Sequence, residues 1–487
     1  MNVRGDTGNK EDTASAPIGQ RGPHKPLAAP PSPVGRYVRR GLEVCLLIAV
    51  LVGVWYVMTD GWKLVSQDVD EYFRYAHAFW LEHPRFRTLP TEYPPLAIIP
   101  FSVTLLPSSI DHHVVFAMWM GLLVLVGYAG YVRYSTRQRA VTWIVYLLLG
   151  TTAVVLARYD LVPALVTLAA VWAAQRGHYR LGYGLLGVGI LLKLYPGFLL
   201  PVMMVAEWRE LKQTPHMLPA GNGRWHVRRH RQPLVSVGLD ASVGVLLALV
   251  GFGVSFVLSP HGTMAAFRYA LDRPLQAEST PASLMWLGSV VGVPMHAVFS
   301  FGAYNAVGPL DAWLEPLSSL ALVGGCCWVY WRQARGQLSL AQSTLACLCM
   351  VVVTSKLLSA QYLLWVLPFA AEVAGVDALW IAICLLTTLE YPILFDASFR
   401  QWTTTYTTPY MLVLAIRNGL FLYVTVQATL GRSLFRASHD ARHMLAHSGA
   451  DTPSTRLDPP AAISPASSYL AETLPLRPEE RRAVDDI

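Results

Sequence analysis

Charge is what this sequence has least of. Only 14% of its 487 residues are Asp, Glu, Lys or Arg, 53% are hydrophobic, and the mean hydropathy is +0.38. A soluble globule carries roughly 25% charged residues, so this chain is too apolar to be one and a polytopic membrane protein is expected. Local signatures are missing too. No GxxxxGK[ST], HExxH or GxSxG occurs, so a nucleotide-driven pump, a zinc protease and a serine hydrolase lack their usual marks. The six cysteines, Cys45, Cys326, Cys327, Cys347, Cys349 and Cys384, lie in apolar runs without CxxC spacing. That argues against a zinc ribbon or a disulfide framework and for small core hydrophobes. No A-x-A-like cleavage site follows the first apolar run, which therefore reads as a retained anchor. The net charge of +7 is divided among short loops and tails, a distribution that speaks to membrane topology and not to nucleic acid.

What is present divides the chain into three. Residues 1–34, rich in Pro, Gly, Ser and Ala, cannot bury enough apolar surface to fold and read as a disordered cytoplasmic tail. Residues 35–430 form the membrane domain, and residues 431–487 a polar, disordered cytoplasmic tail. Arg36, Arg39 and Arg40 precede the apolar run 42–58, placing the N-terminus inside and the next loop outside. Arg133, Arg137 and Arg139 mark a second inside loop. Parity then allows only one of the two intervening apolar runs to cross. The first, 95–106, gives roughly 18 Å of helix against a hydrocarbon core of about 30 Å, and reads as a short re-entrant or interfacial helix. The run 181–206 needs a break at Lys193-Leu194-Tyr195-Pro196, because Pro196 lacks a backbone donor and disfavours helix at Tyr195; one kinked helix is the alternative. The basic stretch 224–231 is then inside, and the weakly hydrophobic piece 284–307 stays outside or dips in. The fold expected is an all-α bundle of about twelve spans with both termini cytoplasmic and no internal repeat, which weakens the inverted-repeat transporter model.

The stretch Gln67–Pro100 reads as a polar, aromatic-rich outer loop carrying Asp68, Asp70, Tyr72, Glu92 and Tyr93. The same parity gathers Arg158, Asp160, Lys193, Arg268, Arg273, Glu278, Lys356 and Gln361 at the outer face. Ionisable groups at a membrane boundary are costly, so function is their default explanation. A carboxylate can take a proton from a hydroxyl, while Arg or Lys grips a departing phosphate. Paired acids also suit glycoside hydrolysis, and Asp68-Val-Asp70 can be read as a metal-binding DxD, but so short a pattern is common by chance. No metal and no cofactor is expected. Arg158 and Asp160 can pair with each other, Lys193 can snorkel to the headgroups, and Arg273 with Glu278 reads as the phosphate- or acceptor-binding pair.

Asp68-x-x-x-Tyr72, Glu92-Tyr-Pro-Pro, Arg158-Tyr-Asp-Leu-Val-Pro-Ala, Leu192-Lys-Leu-Tyr-Pro, Arg273-Pro-Leu-Gln-Ala-Glu-Ser and Ser359-Ala-Gln-Tyr-Leu-Leu-Trp together resemble glycosyltransferase family 87. These are multispanning GT-C enzymes that include mycobacterial phosphatidylinositol mannoside mannosyltransferases. The resemblance covers about residues 41–430. It implies a GT-C-type bundle in a bacterial plasma membrane and a polyprenyl-phosphate-sugar donor, usually of mannose. It also implies transfer with inversion to a lipid or glycan hydroxyl outside the cell, and Asp68 as general base. Tyr72, Glu92, Tyr93, Arg158, Asp160, Lys193, Arg273, Glu278, Lys356 and Gln361 become substrate-binding candidates, and Asp70 the substitute base. One departure is Ala360, where the pattern has Pro. The rival class is a transporter or lipid flippase, whose charges would lie near the bilayer midplane.

Overall fold

The computed structural model describes residues 65–106, 109–213, 216–219, 225–228, 232–395 and 408–432. The expected first span at 42–58, the N-terminal tail and the C-terminal tail beyond Arg432 lie outside these residues.

Helix α1, Gln67–Trp80, replaces the expected loop. Its buried residues Val69, Tyr72, Ala76 and Phe79 recur at three- and four-residue steps, one face of a helix. That face is small and aromatic, so its periodicity is hidden by the polar residues between. Asp68 and Asp70 occupy the first turn, where the helix dipole favours anions. The run Pro95–Leu105 is helical but short, as expected: two 3-10 turns flank Ile98–Phe101.

Helix α2, His112–Tyr134, is capped by Asp111, which accepts from the His113 amide. There follow α3 (Arg137–Gly150), α4 (Leu161–Ala174), α5 (Tyr179–Leu192) and α6 (Leu200–Gln213). The break between α5 and α6 falls where Pro196 predicts it: Lys193 is extended, and Tyr195–Leu199 form a 3-10 turn. A short antiparallel pair, β1 (His216–Pro219) and β2 (Trp225–Arg228), precedes α7 (Pro233–Leu258). Helices α5 and α7 approach closely at glycine: a Cβ on Gly187 would lie 2.6 Å from the Gly244 carbonyl oxygen, and one on Gly244 would strike the Tyr183 carbonyl. Small residues let membrane helices pack in this way.

Next come α8 (Pro260–Asp272) and α9 (Thr280–Val290). The piece expected to stay outside or dip in is half helix, α9, and half hairpin, β3 (His296–Ser300) with β4 (Ala303–Val307). Phe301 and Gly302 both have positive φ, 53° and 68°, the backbone that a two-residue hairpin turn requires. The chain continues through α10 (Asp311–Ala334), α11 (Leu340–Thr354), α12 (Leu363–Val373), α13 (Ala378–Thr388) and α14 (Thr408–Thr429). Ser339 and Gln342 form a reciprocal capping box at the start of α11.

Among the described residues, four helices, α2, α7, α10 and α14, are long and apolar enough to cross a membrane; the shorter apolar ones run 10–17 residues. Their apolar side chains face outward in number, with Val257 on α7 82% exposed and Leu320 on α10 70% exposed. Water does not solvate such a surface at low cost, whereas hydrocarbon does. The main core lies mostly among α1 to α6 and α11 to α13, with Ala241 of α7, Cys326 and Val329 of α10, and Phe421 and Val424 of α14 joining it.

Candidate functional site at one end of the bundle

The polar residues converge where α1, α2, α4 and α12 begin and α5, α8 and α11 end. Asp68 and Asp70, two positions apart, point about 200° apart around a helix of 3.6 residues per turn and take different partners. Asp68 pairs with Arg158. Asp70 meets His112 and His113 through its Oδ1, at 2.9 and 3.2 Å. The two carboxylates therefore do not converge as a DxD pair.

Arg158 and Asp160 do not pair with each other, contrary to the simplest reading of their spacing. Asp160, fully buried at the start of α4, accepts at Oδ1 from Lys193 Nζ and Trp365 Nε1, each at 2.7 Å. Its Oδ2 has no hydrogen-bond partner. Lys193 does not snorkel either. Its ammonium lies 4.9–5.9 Å from the ring centres of Tyr93, Tyr159, Tyr362 and Trp365, a cation held by π faces and one carboxylate. The Tyr159 hydroxyl donates to the Leu192 carbonyl at 3.0 Å, tying the start of α4 to the end of α5.

Tyr72 cannot touch a substrate. Its ring is fully buried and stacks 4.2 Å from Phe101, with Tyr93, Phe116 and Tyr159 around it. It belongs to an aromatic block that supports Tyr93 from below. Tyr93 itself packs inside that block and reaches the cavity wall.

A cavity of about 440 Å³ opens beside this block. Glu92, Tyr93, Lys193, Lys356, Tyr362 and Trp365 supply its polar and aromatic wall, and Phe198, Phe252, Phe267, Leu322 and Val351 an apolar one. Burial raises the Glu92 carboxyl above its ordinary pKa, with Glu71 adding to this, while the Tyr269 hydroxyl, Arg273 and Lys193 partly oppose it. Lys356 donates to Glu315 at 2.8 Å and to the Leu271 carbonyl at 2.7 Å. Gln361 is half-buried beside the cavity residue Tyr362. Asp68 does not line the cavity; its side chain is 30% exposed.

Arg273 and Glu278 are not a simple pair. Arg273 packs over the Tyr269 ring at 5.7 Å, and its Nε has no hydrogen-bond partner. Glu278 is held from α14: its carbonyl accepts from Arg417 Nη2 at 2.7 Å and Asn418 Nδ2 at 3.0 Å. Burial raises its carboxyl pKa, opposed by a hydrogen bond from its own backbone amide and then by Arg417 and Arg273. Arg417 pairs in turn with Glu390 at 2.8 Å, both about 1–2% exposed. Between them, the Leu275–Ala277 backbone runs along β4 and reaches Lys356, through Ala306 N to Leu275 O at 2.7 Å and through Ala277 N to Tyr304 O and Gln276 N to Lys356 O, each at 2.9 Å.

Arg417, Glu390, Trp365, Tyr269, His112 and His113 are participants that sequence reading missed. Arg417 and Glu390 carried a usable signal, because a charge inside an apolar run needs a partner within it. His112 and His113, directly after Asp111 at the head of an apolar run, carried a fainter one.

The arrangement offers a carboxylate with raised proton affinity, two ammonium groups and an apolar wall in one cavity, with an Arg-oriented carboxylate nearby. Such a set can bind an anionic amphiphile and move a proton. No family model matches the chain, and no curated protein matches it.

Proposed function

We propose that this chain is a membrane glycosyltransferase of the GT-C class. It moves a hexose, with mannose the first choice, from a polyprenyl-phosphate-sugar donor to a lipid or glycan hydroxyl at the outer face, with inversion. About twelve spans with both termini cytoplasmic belong to the same proposal. The observation that carries it is the cavity, in which Lys193 and Lys356 face the same space as an apolar wall of Phe198, Phe252, Phe267 and Leu322. A lipid phosphate has these two parts, an anion that needs cations and a chain that needs apolar surface. Asp68 serves as general base, its carboxylate oriented by Arg158. Arg273, with an unpartnered buried Nε, assists the leaving phosphate.

Glu92 is the competing base, favoured by one observation: it lines the cavity and Asp68 does not. The test uses purified protein in nanodiscs with polyprenyl-phosphate-mannose and a lipid acceptor, following release of polyprenyl phosphate. Turnover lost in Asp68→Asn and kept in Glu92→Gln supports the first assignment, and the reverse pattern the second. No turnover with any lipid-phosphate sugar, together with movement of such a lipid across sealed liposomes, replaces the enzyme with a flippase.

A further inference from the structure

Asp70, His112, His113 and Asp111 stand apart from the cavity and have no part in the proposed reaction. Among the described residues, Asp70, His112 and His113 are the one group whose ligand atoms all lie within 4.8 Å of one another. His112 Nε2 is hydrogen-bonded to Asp70 Oδ1 at 2.9 Å, and His113 Nε2 lies 3.2 Å from the same oxygen. The other nitrogen of His113, Nδ1, lies 2.8 Å from Asp111 Oδ1. Asp111 is fixed independently, because the same oxygen accepts the His113 backbone amide as the α2 helix cap.

Each ring nitrogen of His113 lies beside a carboxylate oxygen, and a neutral ring can donate to only one of them. A neutral imidazole has one N–H and one lone pair. If Asp111 takes the Nδ1 proton of His113, Nε2 presents a lone pair to the Asp70 oxygen, and two acceptors face each other. Either His113 holds a second proton, or a cation sits between the three ligand atoms. The second arrangement is the carboxylate–histidine–metal relay, in which an outer carboxylate fixes the tautomer and frees the opposite nitrogen. The spacing also suits it. Ligand atoms about 2.0–2.1 Å from one tetrahedral Zn2+ lie roughly 3.3 Å apart; the two separations from Asp70 Oδ1, 2.9 and 3.2 Å, are close to that, and the third ligand pair lies within 4.8 Å. Asp70 is 52% exposed and His112 27% exposed, which leaves a fourth position open to water, as sites with three protein ligands do.

We infer that Asp70, His112 and His113 bind a divalent cation of the Zn2+ type, with Asp111 orienting His113. The ion joins the first turn of α1 to the first turn of α2. Imidazole and carboxylate ligands favour Zn2+ or Cu2+ over Mg2+ or Ca2+. Since Asp68 lies two residues before Asp70, the same clamp steadies the carboxylate paired with Arg158. The inference stands on these four side chains and does not depend on glycosyl transfer.

The test uses full-length protein without a polyhistidine tag, stripped with a chelator and titrated with Co2+. The visible d–d bands are read first, and Zn2+ competition and thermal unfolding afterwards. One saturable equivalent is expected, displaced by Zn2+ and insensitive to millimolar Mg2+. The double variant His112→Gln/His113→Gln should lose more than 100-fold in affinity, and Asp111→Asn about 10–100-fold. Zn2+ should raise the unfolding temperature of the parent protein and not of the double variant, whose metal-free unfolding temperature should match that of the parent. An unchanged Co2+ isotherm in the double variant would place the metal elsewhere. No saturable binding by the folded parent would leave His113 as an imidazolium bridging two carboxylates, and the inference fails in either case.

Discussion

The two ends of α2 are both polar, yet they are built differently. At its last turn Ser135 Oγ donates to Glu372 Oε2 at 2.7 Å, and Arg139 Nη1 donates to Glu372 Oε1 at 2.8 Å and to Ser135 Oγ at 3.2 Å. Both oxygens of Glu372 are taken, and nearby the Tyr146 hydroxyl donates to the Gly375 carbonyl at 2.5 Å while accepting from the Asp377 amide at 2.9 Å. That end is a closed network. At the other end Asp160 Oδ2, Arg273 Nε and Glu278 Oε2 are buried without hydrogen-bond partners, and a cavity lies beside them. A leftover buried polar group costs about 1–3 kcal/mol. Such groups occur on the other side too, Trp172 Nε1, Arg332 Nε and Gln333 Oε1 among them, so what sets the first end apart is the cavity that Glu92, Lys193 and Lys356 line.

The comparison breaks most sharply at Asp68. Asp68→Asn keeps size but cannot accept a proton, so transfer per folded molecule should fall about 10²- to 10⁴-fold, with some loss of stability because Arg158 loses its carboxylate partner. Asp70→Asn should lose far less. If Asp68→Asn is active and Glu92→Gln dead, the base lies in the cavity wall.

A second pair of variants separates folding from function at the same end. Lys193→Met leaves Asp160 charged and unpaired in a fully buried site, which should cost about 3–5 kcal/mol. Lys193→Met with Asp160→Asn should recover most of that stability and none of the turnover, because the cation in the cavity is still gone. Recovery of turnover in the double variant, read in the lipid-phosphate assay, would reduce the pair to scaffolding.

At the closed end the effects should reverse. Glu372→Gln strips the charge from a network whose Arg139 is 41% exposed, so it should cost about 1–2 kcal/mol in unfolding with turnover per folded molecule unchanged. Lost turnover at full folding would mean that the closed end communicates with the cavity.

The smallest expected effect is a pH dependence. Burial raises the folded-state pKa of Glu92 above its unfolded value. The folded protein then binds more protons than the unfolded chain between those two pKa values, so Glu92 costs stability as the pH rises through that window. Glu92→Gln should raise the unfolding temperature at neutral pH, and the gain should vanish below about pH 4, where the side chain is protonated in both states.

Composition alone determined that this chain is apolar and helical, because 14% charge cannot cover a water-soluble surface. Local chemistry determined the break at Lys193–Pro196, where a missing N–H cannot be replaced from far away, and the short Pro95–Leu105 run, whose length is countable. These are properties of consecutive residues. The tertiary structure alone decided who pairs with whom. Asp68 and Arg158 are 90 positions apart and Asp160 and Lys193 are 33 apart, whereas the near neighbours Arg158 and Asp160 form no ion pair with each other. Spacing could not predict this, because a helix start turns adjacent side chains in different directions and the partner is whatever a remote helix brings to that point. The helix at Gln67–Trp80 needed the structure for a related reason. Its buried face consists of Val69, Tyr72, Ala76 and Phe79, and it becomes a face only when Phe101, Phe116 and Tyr159 pack against it.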